Sequence, residues 1–459
     1  MRRSMCVALT SLATACGDAA APRVLAHQDG ELIEGQGCGP DGCVATCAAD
    51  GCVDGRRPSL LVITSDQPLD SATARLVGAE VPVTVDVLAS RTDGATVWTA
   101  VAVRIPVASG LVAQSYPLEL TVAGDGGTAT FTTTAIGLPE LVIADGPAPP
   151  DGRYASIVLP TAIAARLTGT APVRLEATGD ITLAGAVDVG GDADGPGPGG
   201  CAGAAVAADT SACGAGGGLG SDLTFGGGGG YGTAGDTIDV PGGTPTGNPT
   251  LVPLGASATV DDDNRGHGGG AHRLSHGGHG GGTLLLSSRG AIDVGQYARI
   301  TARGSDPGPS TSSMAMRGGG GSGGAVILAA GAGFTISPAS TLVIDASGGW
   351  RGGDGRICLD GAEPLPATLP APWRGPRWLD VPLVVADGAA LTIAVDARAT
   401  APIAVVADGV VIASCTPVAG ACVVTPTLSV GVTRLCAQVR ADRDPALLEN
   451  RVCLDVARL

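Results

Sequence analysis

Residues 173–191 read VRLEATGDITLAGAVDVGG, and this stretch decides the fold of the central part of the chain. Apolar and polar residues alternate in three short runs, with small residues between them. The pattern returns at 284–302, as LLLSSRGAIDV and ARITA, and at 326–349, as VIL, FTI and LVIDASGG. A period of two indicates strands, and strands of about three residues need partners above and below them. The repeat therefore predicts stacked coils, typical of a right-handed parallel β-helix.

Long glycine-rich inserts separate the three copies, at 190–236, 263–283 and 303–325. Glycine makes up 75 of the 459 residues and is concentrated in these inserts. A segment with few large apolar residues favours disorder, whereas the conformational freedom of glycine also allows ordered extra coils or packed loops. The sequence leaves both alternatives open.

Both flanks of the glycine-rich region contain alternating apolar runs separated by turns. The runs are 60–63, 81–85, 97–105, 118–122 and 128–133 on one side, and 381–386, 391–395, 403–406, 410–413, 422–424, 433–439 and 450–456 on the other. Asp408-Gly409 between two runs is a typical hairpin turn. This spacing predicts a small antiparallel sandwich on each flank. We therefore predict an all-β protein with a Gly-rich right-handed parallel β-helix flanked by two small Ig-like β-sandwiches.

The composition shifts predict six segments along the chain. They are 1–16 for a signal peptide, 17–57 for a cysteine-containing tether, 58–137 for the first sandwich, 138–360 for the β-helix, 361–380 for a Pro/Trp linker and 381–459 for the second sandwich.

Residues 1–16, MRRSMCVALTSLATAC, carry the features of an export signal. Arg2 and Arg3 precede an apolar stretch that is too short to span a bilayer. The end of the segment, LATAC, resembles the lipobox of bacterial lipoproteins, although Ala13 stands where leucine is usual. The resemblance implies that Cys16 is lipidated, and that the following Gly17 favours the outer membrane. The alternative is an ordinary cleaved signal in which Cys16 is incidental.

The remaining cysteines fall into even-numbered local groups, which indicate disulfides in an exported protein. The groups are Cys38, Cys43, Cys47 and Cys52; Cys201 and Cys213; and Cys415, Cys422, Cys436 and Cys453. In the last group, bonds Cys415–Cys422 and Cys436–Cys453 would close a hairpin-like loop and tie the last two strands, with other pairings open. Zinc at the first group is less favoured because no CxxC spacing is present. Cys358 is left over, as a small buried hydrophobe.

Four of the five histidines lie within 13 residues of sequence, at His267, His272, His276 and His279. Imidazoles on a glycine-rich loop are candidate ligands for zinc, nickel or copper. Their spacing matches no zinc-enzyme motif, and glycine supplies no supporting side chains around a metal. The alternative is a solvated low-complexity loop. The run Asp261–Asp263 is a weaker candidate for calcium, and no cofactor is expected.

Catalytic motifs are few. Asp188, Asp293 and Asp345 occupy similar positions in the three copies, so the repeat predicts that they stack on one face, as paired carboxylates of a polysaccharide lyase or hydrolase would. The alternative is an outward polar position beside a turn. The match of residues 320–324 to G-x-S-x-G lies in a glycine tract and precedes a strand, so we interpret it as chance.

Composition excludes several classes of function. The chain contains no lysine, so it is neither a P-loop NTPase nor a Schiff-base enzyme. Its net charge of −16 and its 2% aromatic content are unfavourable for a nucleic-acid partner. No apolar run is long enough to predict an internal transmembrane helix.

Two further resemblances add to this interpretation. Residues 115–122, SYPLELTV, followed by a Gly-rich turn and a Thr-rich strand, resemble the late strands of bacterial Ig-like modules of the IPT/TIG type. The coils separated by glycine tracts resemble glycine-rich surface proteins of myxobacteria. These resemblances bear mainly on the fold. With the lipobox and the order of the segments, the sequence favours a non-enzymatic outer-membrane lipoprotein on the cell surface, acting as an extended scaffold or adhesin. Its expected partners are the membrane, through the lipid anchor, and an envelope polysaccharide or surface protein. The alternatives are a carbohydrate-active β-helix enzyme and a metal binder built on the histidine loop.

Overall fold

The computed structural model describes the chain in segments. These are residues 20–29, 32, 47–48, 51–52, 58–105, 113–206, 212–213, 217–221, 228–230, 234–235, 242, 266, 268–272, 274–288, 290–309, 317–330, 333–336, 340, 342–360, 377–379, 381–395, 402–407, 409–439 and 451–459. Within these segments the protein is all-β and contains no helix. Accordingly, the described part of the chain has no helix long and apolar enough to cross a membrane.

The first β-module consists of two antiparallel sheets near the start of the described chain. The first nine strands are β1 (Val24–Asp29), β2 (Cys47–Ala48), β3 (Gly51–Cys52), β4 (Ser59–Ser65), β5 (Ser71–Leu76), β6 (Thr84–Asp93), β7 (Thr96–Arg104), β8 (Ser115–Gly124) and β9 (Gly127–Ile136). One sheet has the order β1-β4-β7-β6 and the other β5-β8-β9, while β2 and β3 pair only with each other. Leu61 and Val101 from the first sheet and Leu118 and Leu120 from the second are fully buried in one core, because apolar residues alternate along these strands.

The coil region follows and contains fifteen short strands. They are β10 (Glu140–Val142), β11 (Gly146–Pro147), β12 (Gly152–Tyr154), β13 (Ser156–Leu159), β14 (Ala164–Thr168), β15 (Val173–Ala177), β16 (Ile181–Leu183), β17 (Ala186–Asp188), β18 (Thr283–Ser288), β19 (Ile292–Val294), β20 (Arg299–Thr301), β21 (Ala325–Ala330), β22 (Phe334–Ile336), β23 (Val343–Asp345) and β24 (Arg356–Asp360).

Successive strands of the coil region go to three parallel sheets in turn. Their orders are β10-β13-β16-β19-β22, β11-β14-β17-β20-β23 and β12-β15-β18-β21-β24. Register stacks like residues into columns, such as Leu175, Leu286, Leu328 and Leu359, all at most 1% exposed. Burying each such leucine contributes about 1.5–3 kcal/mol, so the columns form a continuous core through every coil.

The last β-module forms two further sheets. Its strands are β25 (Arg377–Leu379), β26 (Leu391–Ala394), β27 (Ile403–Ala407), β28 (Val410–Cys415), β29 (Ala421–Val424), β30 (Gly431–Val439) and β31 (Arg451–Arg458). The sheet orders are β25-β26-β29 and β28-β27-β30-β31, and all pairs are antiparallel. Gly409, between β27 and β28, has a φ of 83°, which favours glycine at a tight turn.

The last β-module packs against both other parts of the chain. Ala325 and Ile327 on the outer face of β21 belong to the same buried cluster as the core of this module, including Ile403. On its other side, Val432 and Ala457 pack with residues of β4 and β7, among them Leu60, Val62, Ala100 and Ala102. Polar contacts support both junctions: Arg434 lies 3.8 Å from Glu176, and the Gln28 side chain donates to the Val432 carbonyl.

Several elements differ from the sequence-based expectations. The segment 24–29, assigned to the tether, is strand β1 and pairs with β4. The run 81–85 begins its strand only at Thr84, and the run 381–386 makes only an isolated bridge, because each contains a proline without a backbone N–H. Within the predicted segment 138–360, the parallel stacking begins at β10, before the first recognised copy of the repeat, because strands of two to five residues with many prolines give no periodic signal.

Candidate functional site

The glycine tracts of the described chain pack side by side against the end of the coil region. We call this the glycine bundle: the described residues of 189–206, 217–221, 228–230, 266–282, 302–309, 317–324 and 346–355. Backbone N–H groups three residues apart donate to carbonyls three residues apart on a neighbouring segment. The pairs are Cys201 and Ala204 to Gly266 and Gly269; Gly218 and Ser221 to Gly268 and Ala271; Gly266 and Gly269 to Gly281 and Gly278; Gly277 and Gly280 to Ala204 and Cys201; Gly278 and Gly281 to Gly319 and Ser322; Ser305 and Gly308 to His279 and His276; Gly321 and Gly324 to Ser305 and Ala302; and Gly320 and Gly323 to Trp350 and Gly353.

A period of three is that of the polyproline II helix, which has three residues per turn and no internal hydrogen bonds. Every backbone group of such a segment is free to bond outward, so neighbouring segments satisfy one another. The segment 276–282 shows this on three faces. Residues 277 and 280 donate to one neighbour, 278 and 281 to a second, and the carbonyls of 276 and 279 accept from a third.

Glycine is required in the bundle by close approach. A Cβ at Gly266, Gly281 or Gly323 would lie within 3.0 Å of backbone atoms of a neighbouring segment. None of these three has a positive φ. Glycine serves here to let backbones touch, so the alternative of packed segments holds for this part of the inserts.

In the bundle, the residues that carry exposed side chains recur at every third position, on the side of a segment that faces away from its neighbours. Along 303–309, Arg303, Asp306 and Pro309 are exposed while the residues between them are buried. Along 276–282, only His276 and His279 are partly exposed. The spacing H-G-G-H therefore places both imidazoles on one face, with ring centroids 5.9 Å apart.

Each described histidine of the predicted metal group is bonded to the backbone. His279 Nδ1 accepts from the Gly203 N–H at 3.0 Å, and His272 Nδ1 accepts from the Leu274 N–H at 3.2 Å. His276 Nδ1 lies 3.0 Å from the Gly277 carbonyl. Burial, with a smaller contribution from His276, lowers the pKa of His279 and outweighs the opposite effect of Asp192. Within the described residues no three His, Cys, Asp or Glu side chains are close enough to hold a metal ion, and His267 lies outside them.

A cleft of about 330 Å³ opens beside these rings. It is lined by residues 191–193, residues 303–309 and His276. The His276 ring packs over Gly308, where a Cβ would come within 3.0 Å of the imidazole. Arg303, Asp192 and Asp306 are the charged residues of the lining.

The carboxylates of the cleft are held by neighbouring groups. Asp192 Oδ2 lies 2.6 Å from Arg166 Nη2, and its Oδ1 accepts from the N–H groups of Asp194 and Gly195. Asp306 Oδ1 accepts a hydrogen bond from the backbone N–H of Trp350 at 2.7 Å. Trp350 itself is partly exposed, with the Arg351 guanidinium 4.0 Å above its ring. These contacts hold the side chains of Asp192 and Asp306 in place in the lining of the cleft.

The predicted stack of Asp188, Asp293 and Asp345 is wrong. Register pairs Asp188 with Thr301 and Thr301 with Asp345, so two aspartates share a column with a threonine between them. Asp293 belongs to a different sheet, between Thr182 and Thr335. The error arises because similar letters in the second copy fall on the second strand of the coil rather than the third.

The two aspartates of the column have separate partners. Asp188 bonds to Arg166 at 3.0 Å. Burial raises the pKa of Asp345, but hydrogen bonds from the Ser347 hydroxyl and N–H, with Arg303 and Arg299 nearby, outweigh it and leave this pKa below its ordinary value. The lowered pKa of Asp345 is the opposite of the raised pKa that a general acid needs.

Disulfides join Cys201 to Cys213 and Cys415 to Cys422, with Cα atoms 5.3 Å and 6.0 Å apart. Cys436 is also disulfide-bonded, and the residue opposite it in the sheet is Cys453. The backbone of β2 and β3 places Cys47 opposite Cys52. Cys16, Cys38, Cys43 and the run Asp261–Asp263 lie outside the described residues.

Comparison with protein-family models, curated proteins and solved structures finds no match to this chain. The resemblances to bacterial Ig-like modules and to myxobacterial surface proteins therefore stay predictions. Function has to be argued from the geometry alone.

Proposed function

We propose that the protein is a non-enzymatic scaffold of the bacterial cell envelope, anchored to the outer membrane through a lipidated Cys16 and displayed at the cell surface. In this proposal the coil region is a right-handed parallel β-helix, since crossovers between parallel strands are almost always right-handed. The flanking modules are Ig-like β-sandwiches. Adhesion to an envelope polysaccharide or to a surface protein is the expected role.

The observation that carries the proposal is the packing of the glycine tracts. Their backbones form hydrogen bonds to one another with a three-residue period and continue the stack of coils. Segments poor in large side chains are therefore ordered by backbone hydrogen bonds. The last β-module adds to this, because it is buried against both the coil region and the first β-module. These features favour a rigid arrangement, in which the modules hold their surfaces in fixed relative positions, over modules connected by flexible linkers.

The test is localisation in the native host. Cys16→Ser should move the protein from the membrane fraction to the soluble fraction, while Cys6→Ser, within the predicted signal, should leave it with the membrane. Protease treatment of intact cells should release peptides from 381–459 early. Unchanged fractionation of Cys16→Ser contradicts the anchor, and release only after the outer membrane is broken contradicts surface display.

A further inference from the structure

The cleft between 191–193 and 303–309 has features of a ligand site that the scaffold role does not use. Its volume of about 330 Å³ lies at the lower end of the range for small-molecule sites, about 300–1,000 Å³. Among its lining residues, the exposed Pro309 offers apolar surface beside charged groups. A ligand of this size is a single polar ring rather than a large cofactor.

Arg303 is the cleft's available cation. Its side chain is exposed and has no ion pair or hydrogen bond in the described part of the chain, although its charge lies near enough to Asp345 to help lower the pKa of that carboxyl. The other arginine near the cleft, Arg166, is committed to Asp188, Asp192 and the Gly190 carbonyl. The planar fork of a guanidinium matches a carboxylate with two parallel hydrogen bonds, so the complementary group on a ligand is a carboxylate.

His276 supplies a hydrogen-bond acceptor, whereas Arg303 supplies donors. A carbonyl oxygen can only accept, so the contact of Nδ1 with the Gly277 carbonyl fixes the ring proton on Nδ1. In the neutral ring, Nε2 is then a hydrogen-bond acceptor, which suits a hydroxyl donor. The ring is held in place by Gly308 beneath it.

We propose that this cleft binds a uronic acid, the carboxylate-bearing sugar unit of an acidic polysaccharide. The Arg303 guanidinium takes the carboxylate, and His276 Nε2 accepts from a ring hydroxyl. The net charge of −16 opposes a polyanion at long range, but at physiological salt the Debye length is about 8 Å, so the charges that line the cleft decide binding. Of the two carboxylates there, Asp192 is paired with Arg166 and Asp306 accepts from the backbone N–H of Trp350, which leaves Arg303 as the group that attracts an anion. The inference names a ligand for the proposed envelope scaffold, and the binding chemistry is testable without reference to localisation.

The experiment titrates the purified full chain with sodium D-glucuronate and follows binding by calorimetry and by NMR shifts. D-Glucose is the matched neutral sugar, and acetate is the carboxylate without the ring. We expect saturable binding of glucuronate, weaker binding of acetate and none of glucose, with shifts at His276 and Gly304.

Variants locate the site. Arg303→Gln should weaken glucuronate binding by about tenfold or more, because it removes a charged hydrogen-bond donor. Arg299→Gln is the control: this arginine lies on β20, four residues before Arg303, is exposed, and does not line the cleft. It should leave the affinity unchanged, and melting curves check that both variants fold.

Three results overturn the proposal. The first is equal affinity for glucose and glucuronate, and the second is equal affinity of the Arg303→Gln variant and the original protein for glucuronate. The third is binding that does not saturate at about 10 mM glucuronate, because a Kd above that value is too weak for a specific site. None of these outcomes bears on the membrane anchor, so failure here is distinguishable from failure of the envelope role.

Discussion

Many buried glycines of the bundle, among them Gly266, Gly281 and Gly323, stand where the backbone of a neighbouring segment excludes a side chain. At Gly281, a Cβ would be pressed between the Ala302 carbonyl and the Gly324 N–H of two different segments. Backbone cannot move aside as the end of a flexible side chain can, so the cost of an added methyl group falls on the packing of three segments at once.

Gly281→Ala is therefore expected to destabilise the protein by about 1–3 kcal/mol or more. Gly195→Ala is the matched control, because nothing lies within 4 Å of a Cβ there and the φ of Gly195 is not positive. The control should stay within about 0.5 kcal/mol of the original protein. Denaturant unfolding measures both, and equal stability of the two variants would show that the tracts are not packed at Gly281.

His279 gives the bundle a pH dependence. Its folded-state pKa lies below its ordinary value of 6.5, so the unfolded chain takes up a proton that the folded chain resists. The stability associated with neutral His279 is present above pH 6.5 and is lost as the pH falls through the folded pKa.

His279→Asn should remove this loss, since the amide oxygen can still accept from the Gly203 N–H but does not titrate. The check is the difference in Tm between pH 7.5 and pH 5.5, compared for variant and original protein. An unchanged difference in the variant would rule out His279 as the titrating group.

At the scale of the element, stability in the coil region comes from columns rather than from single strands. A strand of three residues has too few contacts of its own, and its inward side chains gain burial only from the coils before and after it. Leu286 on β18 lies between Leu175 and Leu328 and is fully buried.

Leu286→Ala should cost about 2–5 kcal/mol, since it removes the transfer free energy and leaves a cavity in the column. Val343→Ala on β23 is the control, because this valine is 45% exposed and should change stability by about 0.5 kcal/mol or less. If both substitutions cost the same in chemical denaturation, the inward column is not the source of stability.

The elements also show how far sequence reasoning reaches. Period-two alternation in 173–191 and its two further copies locates β15 to β23 closely, because the inward positions are apolar and most outward positions are polar. Leu285 and Ile327 break the alternation, since their outward side chains pack against the last β-module. The glycine bundle gives no hydrophobic signal, so its order is not visible in that pattern. A different signal was present: in HGGHGGG, at 276–282, the two histidines stand three residues apart among glycines, which is the period of polyproline II.

The candidate site was predictable only in part for the same reason. The histidine cluster stood out in the sequence, but its interpretation as four metal ligands assumed a loop without backbone partners. Arg303 and Asp192 are far apart in the chain, and only the packing of the bundle segments brings them to one cleft.

At the scale of the molecule, the last β-module joins parts that are distant in sequence. Strand β4 is buried on both faces, because Leu61 and Ile63 face the core of the first β-module while Leu60 and Val62 face β30 and β31. The sequence showed the four consecutive apolar residues 60–63 only as a strand and did not reveal the second surface. Modules connected in this way should unfold and move together.

Ala102→Asp tests this contact. Ala102 is fully buried in the junction, so an aspartate there places an unpaired charge between the modules and should separate them. Small-angle X-ray scattering should show a larger radius of gyration. Thr132→Asp, on the exposed face of β9, is the control and should keep the original radius. An unchanged radius for a folded Ala102→Asp variant would refute the docking.

The central claim is that glycine tracts poor in large side chains form an ordered part of the fold. Amide hydrogen exchange of the full chain, resolved by residue, tests it most directly. The account predicts that the amides of Gly278, Gly281, Gly320 and Gly323 exchange as slowly as those of β15 and β18, because each donates to a neighbouring backbone carbonyl. Exchange of these four amides at the rate of an unstructured chain, while β15 and β18 stay protected, would contradict it.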